Sequence, residues 1–317
     1  MASEPLVSAI IPAYNCGRFV TEAVESACAQ TYSRLEVIVV DDGSTDDTYE
    51  RLTPFLHRIR YLRQENRGLS AARNAGIAAS QGEWIALLDA DDVWHPEKTA
   101  VQIAAAREYD VWLVGARPCN VLPRELPPRP PARYLDVADF LQSAPLGPSG
   151  AIVRRQCFEE VGVFDETLRS IEDRDMWLRI ATRFACLQVD SPCWWYRVHH
   201  DQMSRRATRM YENYRRVLDK FFAENPSYSR LRSLAYSYLY VDTAWAYFSE
   251  GDRWNAVRFL VLSGCRHPRP FRGAGKTFRW WRAKELVRYT LGDRILRHIL
   301  RGRWDVERVE ASECRPS

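Results

Sequence analysis

The chain has 317 residues, of which 46% are hydrophobic and 27% charged, with a formal charge of +4. At roughly 150 residues per domain this length suggests about two domains, and the composition excludes a disordered, collagen-like or coiled-coil chain. The small net charge conceals a split: residues 1–200 hold 21 basic against 28 acidic side chains, a net of −7, whereas residues 201–317 hold 24 against 13, a net of +11.

In chain order, residues 6–13 (LVSAIIPA) form an apolar, β-branched run that predicts a buried strand, and residues 17–30 place Phe19, Val20, Ala23, Val24 and Ala27 at helical spacing. LEVIVV (35–40) predicts a second strand, ending at Asp41-Asp42-Gly43-Ser44, and a helix over 46–57 is limited by Pro54. IRYL (59–62) is a third strand. Residues 68–80 (GLSAARNAGIAAS) suit a small-residue helix able to lie close on its sheet. WIALL (84–88) is a fourth strand, ending at Asp89-Ala90-Asp91-Asp92. A helix at 96–108, a strand at 111–116, a Pro/Arg-rich loop at 118–133, a strand at 150–154, a helix at 172–184 and strand material at 186–198 follow. Such alternation implies parallel βαβ units, and strands buried on both faces read as continuous apolar runs. Beyond about residue 204 the chain turns to Arg-rich amphipathic helices, with a helix–turn–helix hairpin over 244–264 and Gly251-Asp252 at its turn.

No uncharged apolar run reaches the roughly 18 residues of a spanning helix. The first 15 residues have no basic segment, so no secretory leader is expected. The eight cysteines show neither C-x-x-C pairs nor zinc-type spacing, which fits a reduced, cytoplasmic protein.

Ligands of doubly wound sheets collect beyond the carboxyl ends of the strands, and the polar punctuation Tyr14-Asn15, Asp41-Asp42 and Asp89-Ala90-Asp91 falls there. Asp89 and Asp91 can converge on a hard divalent cation, which takes one or two carboxylates together with substrate phosphates; equally, acidic residues end strands and cap the next helix. Asp42 can accept from a nucleobase while Thr45 or Asp46 caps the following helix. No G-x-G-x-x-G or P-loop fingerprint follows an early strand. Arg73, among small residues, either clamps a pyrophosphate or pairs with a strand-end carboxylate. Ser170 and Asp173 have capping-box spacing, and a carboxylate at that helix start can also be a general base.

The ordered set VSAIIPAYN (7–15), VIVVDDGSTDDT (37–48), ENRGLSAARNAG (65–76), GEWIALLDADDVWHPEK (82–98) and EDRDMWLRI (172–180) resembles a family-2 inverting glycosyltransferase of the GT-A fold. That fold is an α/β, Rossmann-like, mostly parallel central sheet flanked by helices. Here it would span residues 1–204, and a helical, basic extension would span 205–317. The resemblance implies that Pro12, Ala13 and Tyr14 line the base pocket, Asp42 binds the base, Arg73 sits near the donor, and Asp89 contacts ribose or sugar. It also implies that Asp91 holds Mn²⁺ or Mg²⁺ on the donor diphosphate, with His199 assisting, and that Asp173 deprotonates the acceptor hydroxyl, Glu172 being the alternative base. The implied donor is a nucleotide sugar, with UDP as the expected nucleotide and GDP and dTDP open. The implied acceptor is a cell-surface glycan or lipid-linked precursor. The Gln-x-x-Arg-Trp motif of processive members is missing from CWWYRVHHDQMS, and its nearest echo, Lys276-Thr-Phe-Arg279-Trp280, lacks the Gln; transfer of a single sugar is expected.

Residues 253–303 carry 14 basic and two acidic side chains, interleaved with Phe259, Phe271, Phe278, Trp280, Trp281 and Tyr289. This pattern suits peripheral contact with an anionic membrane at its cytoplasmic face, or a solvated helical lid; no recognition motif supports nucleic acid. Two other readings remain at this stage. One is a sugar nucleotidyltransferase, although Pro12-Ala13-Tyr14-Asn15-Cys16-Gly17 stands where its Gly-rich basic loop would be. The other is an inactive sugar-nucleotide module tethered by its tail.

Overall fold

The structure, a computed structural model, describes residues 4–127, 129–199, 206–272 and 281–291. Phe278, Trp280 and the Lys276–Trp280 echo lie outside the described residues, as does everything beyond Leu291. The chain divides into two compact units: residues 1–137 with 145–197, and residues 138–144 with 198–317.

The first unit is built on one sheet. Strands β1 (Val7–Ala13), β2 (Leu35–Asp41), β3 (Arg60–Arg63) and β4 (Trp84–Leu87) form its parallel half, in the order β3-β2-β1-β4. The sheet continues through β8 (Ala151–Arg154), β6 (Leu113–Cys119), β9 (Cys186–Trp195) and the two-residue β5 (Val93–Trp94), with β7 (Ala132–Leu135) paired to β9. Alternate residues of β1 and β2 supply two cores. Val7, Ala9, Ile11, Val37 and Val39 pack with Val20, Ala23, Val24 and Ala27 of helix α1 (Val20–Cys28), whereas Ile38 and Val40 pack with Ala72 of helix α3 (Leu69–Ala79). Burial on both faces is why these strands read as unbroken apolar runs.

The small residues of α3 serve close approach, since a Cβ on Gly76 would lie 2.4 Å from Cγ2 of Ile10. Pro54 has the expected effect: helix α2 is short (Thr48–Leu52) and gives way to a 3₁₀ turn at Thr53–Phe55. Helix α4 (Lys98–Tyr109) and helix α7 (Glu172–Ala181) complete the predicted set.

The structure departs from a run of parallel units at β8, which lies antiparallel to both β4 and β6. Ala151, Ile152 and Val153 are fully buried, so a strand of either direction there has the same apolar signature. Two short helices, α5 (Val137–Gln142) and α6 (Arg155–Val161), fall where no helix was expected. The Ser170 capping box does not form either: α7 begins after Ile171, which has φ +66°, and no side chain caps it.

The second unit contains α8 (Ala207–Glu224), α9 (Arg232–Ser249), α10 (Arg253–Arg266) and α11 (Trp281–Leu291). The expected hairpin is α9–α10. Gly251 turns the chain at φ +86°, and Asp252 accepts from the Asn255 amide at the start of α10. Among the described residues no helix is long and apolar enough to cross a membrane.

Candidate active site

Two loops at the carboxyl ends of β1 and β2 are stitched together. Asn15, at φ +49°, donates its amide to Ser44 Oγ (3.0 Å) and accepts from the Thr45 amide (2.8 Å). The Cys16 amide donates to Thr48 Oγ1 and the Gly17 amide to Asp46, which also accepts from the Thr48 amide at the start of α2. Pro12 and Ala13 are buried at the end of β1, and Tyr14 is half exposed beyond them.

Asp42 is buried, and its carboxylate accepts from Gln64 Nε2 (2.7 Å), the Arg67 amide (2.9 Å) and the Gly68 amide (2.7 Å). It therefore clamps the segment that leads into α3, using three of a carboxylate's roughly four acceptor positions. Neighbouring Asp41 is also fully buried, where it accepts from the Ser44 amide and the Tyr61 hydroxyl.

Helix α3 delivers Arg73, 1% exposed, between two carboxylates. One guanidinium nitrogen donates to Asp89 Oδ1 at 2.7 Å and another to Glu172 Oε1 at 2.6 Å, a residue 99 positions away on the first turn of α7. The Phe164 ring lies under the guanidinium, 5.4 Å from its carbon. Burial alone would favour the neutral form, but Asp89 and Glu172 outweigh it and hold the Arg73 pKa above its usual range. Of the two expectations for Arg73, the structure shows the pairing with a strand-end carboxylate.

Glu172 is buried, and burial raises its pKa against the pull of Arg73. Asp173 beside it is half-buried. Its pKa is raised, first by burial, with Arg174 and Arg73 pulling it down and Asp89 adding to the rise. Ile171, just before them, takes a positive φ, which is strained for a β-branched residue and held only by its surroundings.

Beyond β4 the acidic loop has internal supports that the sequence did not reveal. Ser149 is fully buried; its hydroxyl donates to Asp92 Oδ2 (2.6 Å) and accepts from the Asp89 amide (3.1 Å). Asp92 also accepts from the Arg197 amide (3.1 Å), and the Arg197 guanidinium lies between the rings of Phe19 and Trp195 while pairing with Glu22. Asp92 is driven well above the usual carboxylate range by burial, then by Asp91 and Asp89. No periodicity or motif marks Ser149 or Arg197; their contacts span 57 to 175 positions.

Asp91, half-buried, sits between these two fixed neighbours. Among the described residues no three His, Cys, Asp or Glu side chains converge as a metal cage. The donors at this loop are all carboxylate oxygens, crowded enough to push Asp92 upward. They fit a hard cation that takes one or two carboxylates and completes its shell with phosphate and water. The first unit therefore gathers Asp42, Arg73, Asp89, Asp91, Glu172 and Asp173 around the strand ends, whereas His199, half-buried, belongs to the second unit.

Comparison with known proteins gives the family and the fold. The family model for Glycosyl transferase family 2 matches residues 8–162, and one for Glycosyltransferase like family 2 matches residues 133–260. An uncharacterized glycosyltransferase of Rickettsia prowazekii is 35% identical over 185 residues, covering 55% of this chain and 58% of that protein. One of Rickettsia typhi is 32% identical over 230 residues, covering 68% and 71%. Among solved structures, Staphylococcus aureus TarS in complex with UDP-GlcNAc aligns with a TM-score of 0.62 at 19% identity, covering 97% of this chain and 90% of that one. The mannosyltransferase PcManGT of Pyrobaculum calidifontis, in complex with GDP-Man and Mn²⁺, aligns at 0.61 and 18%, covering 96% and 88%. At such identities the structures speak for the fold alone. The chain belongs to glycosyl transferase family 2, and its sheet is that of a GT-A fold.

Proposed function

We propose that the chain is a non-processive, inverting glycosyltransferase that moves one sugar from a nucleoside diphosphate sugar to an acceptor hydroxyl. The observation that carries this reading is Arg73, whose guanidinium joins Asp89 at the end of β4 to Glu172 on α7 and so sets Asp173 against the strand-end loops. In this reading Pro12, Ala13 and Tyr14 flank the base, and Asp42 offers it its remaining acceptor position. Asp89, fixed by Arg73 and Ser149, orients the ribose or sugar.

The acceptor oxygen attacks the anomeric carbon while the bond to the diphosphate oxygen breaks. Asp173 takes the acceptor's proton, and the diphosphate leaves with the bonding pair. Because attack and departure lie on opposite faces of the ring, the anomeric configuration inverts. Glu172, already bound by Arg73, is a positioning group for its neighbour. Asp91 would hold Mn²⁺ or Mg²⁺ with the donor's phosphates, where such an ion supplies Lewis-acid stabilisation to the departing charge. UDP is the favoured nucleotide, in line with the UDP-GlcNAc complex of TarS, and a cell-surface glycan or lipid-linked precursor is the proposed acceptor class.

Asp173→Asn tests the assignment. The variant should bind UDP-sugar with the affinity of the parent chain in calorimetry with Mn²⁺, yet lose transfer by at least two orders of magnitude, the lower range of general-base catalysis being about 10²-fold. Turnover retained in this variant would remove Asp173 from the base role, and a product of retained anomeric configuration, read by NMR, would remove single displacement.

A further inference from the structure

Helix α10 buries one face and leaves an apolar one outside. Ala256, Phe259, Leu260 and Ser263 are buried. On the opposite side Trp254 is 79% exposed, Val261 49% and Leu262 38%, with Arg258 and Cys265 exposed among them. At about 100° per residue these five positions fall within an arc of about 100°. Apolar residues gathered on the solvent side of a helix, with a tryptophan at one end, differ from single exposed hydrophobics, which are ordinary.

Along α10 and the segment that follows it the charge has one sign. Residues 253–272 contain Arg253, Arg258, Arg266, Arg269 and Arg272 and no acidic residue. The nearest carboxylate in sequence, Asp252, is engaged by the Asn255 amide and side chain at the helix start. Just past the end of the partner helix α9, Glu250 accepts from the Ala207 amide.

We propose that the outward face of α10 docks on an anionic lipid bilayer. Trp254, Val261 and Leu262 enter the boundary between headgroups and acyl chains, where an indole is at home with its ring apolar and its N–H wet. The long arginine stems lie along that boundary while their guanidinium groups reach anionic phosphates. The same charge argues against a second copy as occupant. A two-fold contact sets a patch against itself and so sets its arginines against an equally basic surface. The inference concerns the second unit and stands independently of the transfer chemistry.

The test is co-sedimentation of the full chain with vesicles of phosphatidylglycerol and phosphatidylcholine in equal parts, and with phosphatidylcholine alone. The chain should sediment with the first and not with the second. Arg258→Ser should lower partitioning about fivefold, the equivalent of about 1 kcal/mol for one basic residue near the surface. The joint variant Trp254→Ser, Val261→Ser, Leu262→Ser should lower it at least tenfold. These side chains point to solvent, so the variants should keep the parent's circular dichroism and melting profile. Unchanged binding in the joint variant would place any lipid contact elsewhere and overturn the proposal. So would failure of the parent chain to bind anionic vesicles, or a dimer in sedimentation velocity that only the joint variant dissolves.

Discussion

Replacing Arg73 by methionine leaves a buried carboxylate without its cation, and the pH dependence of the loss can be worked out. Methionine fills most of the arginine's volume, so a cavity contributes little. Asp89 is 29% exposed at its side chain and stays hydrated, whereas Glu172 is 7% exposed and has lost its partner. An orphaned buried charge costs about 3–5 kcal/mol. Glu172 can avoid that cost by taking a proton, at about 1.4 kcal/mol for each pH unit above its unfolded value of about 4.3. The penalty is therefore capped at about 4.4 kcal/mol at pH 7.5 and about 1.6 kcal/mol at pH 5.5. The sign follows from proton binding: the variant's native state holds a proton that the unfolded chain has released, so its stability falls as pH rises. Urea denaturation followed by tryptophan fluorescence at the two pH values should show Arg73→Met losing about 1.5–3 kcal/mol more at pH 7.5 than at pH 5.5. Adding Glu172→Gln should return most of the loss at pH 7.5. An equal deficit at both pH values, or no recovery in the double variant, would show that Glu172 is not the group Arg73 neutralises.

Three further outcomes are expected. Ser149→Ala removes the hydroxyl joining Asp92 to the Asp89 amide; kcat should fall about tenfold or more with the KM for acceptor little changed, and an unchanged kcat would show that the acidic loop holds its shape without it. Because the Asp173 pKa is raised chiefly by burial, transfer should decline on acidification through a pKa above the ordinary carboxylate range; a pH–rate profile flat down to about pH 4 would contradict that assignment. Lys98 is fully buried, with its ammonium 4.1 Å from the Trp94 ring and its pKa lowered by burial to about 7. Between pH 7 and the unfolded value the unfolded chain holds more protons, so parent stability should rise with pH across that window. Lys98→Met should be the more stable protein near pH 7, by up to about 5 kcal/mol, with the advantage gone by about pH 10.5; a constant difference across the range would count against the buried amine.

Much of the first unit is written in local pattern. Strands β1, β2 and β4 are apolar on both faces, α3 is rich in small residues because its glycine meets Ile10, and the acidic turns stand at strand ends. The strand-end positions of Asp42 and Asp89 follow from those runs alone. What no local pattern conveys is pairing over distance. Whether Arg73 faces phosphate or carboxylate depends on Glu172, which the fold brings from another element. Ser149 sits in a short turn with nothing to distinguish it from any loop serine. The direction of β8 is invisible in a strand buried on both faces. Helices α5 and α6, of six and seven residues, are too short for a helical period to emerge. The start of α7 misleads for a different reason: Ser170 has the spacing of a cap, but Ile171 takes the left-handed conformation instead.

The interleaving of the two units bears on how the chain is made. Residues 138–144 leave the ribosome amid the first unit, yet they belong with residues from 198 onward. Phe140 and Leu141 on α5 are buried, and Gln142 accepts from the amide of Arg272, 130 positions later. During synthesis this segment must wait, its apolar side chains uncovered, until the second unit emerges. A nascent chain stopped at residue 197 would carry a sticky segment in the middle of an otherwise complete sheet, the kind of exposed surface that invites aggregation or chaperone capture. A fragment starting at residue 198 would lack residues 138–144, so neither unit can be lifted out as a contiguous fragment. A cut between them removes part of a core rather than a linker.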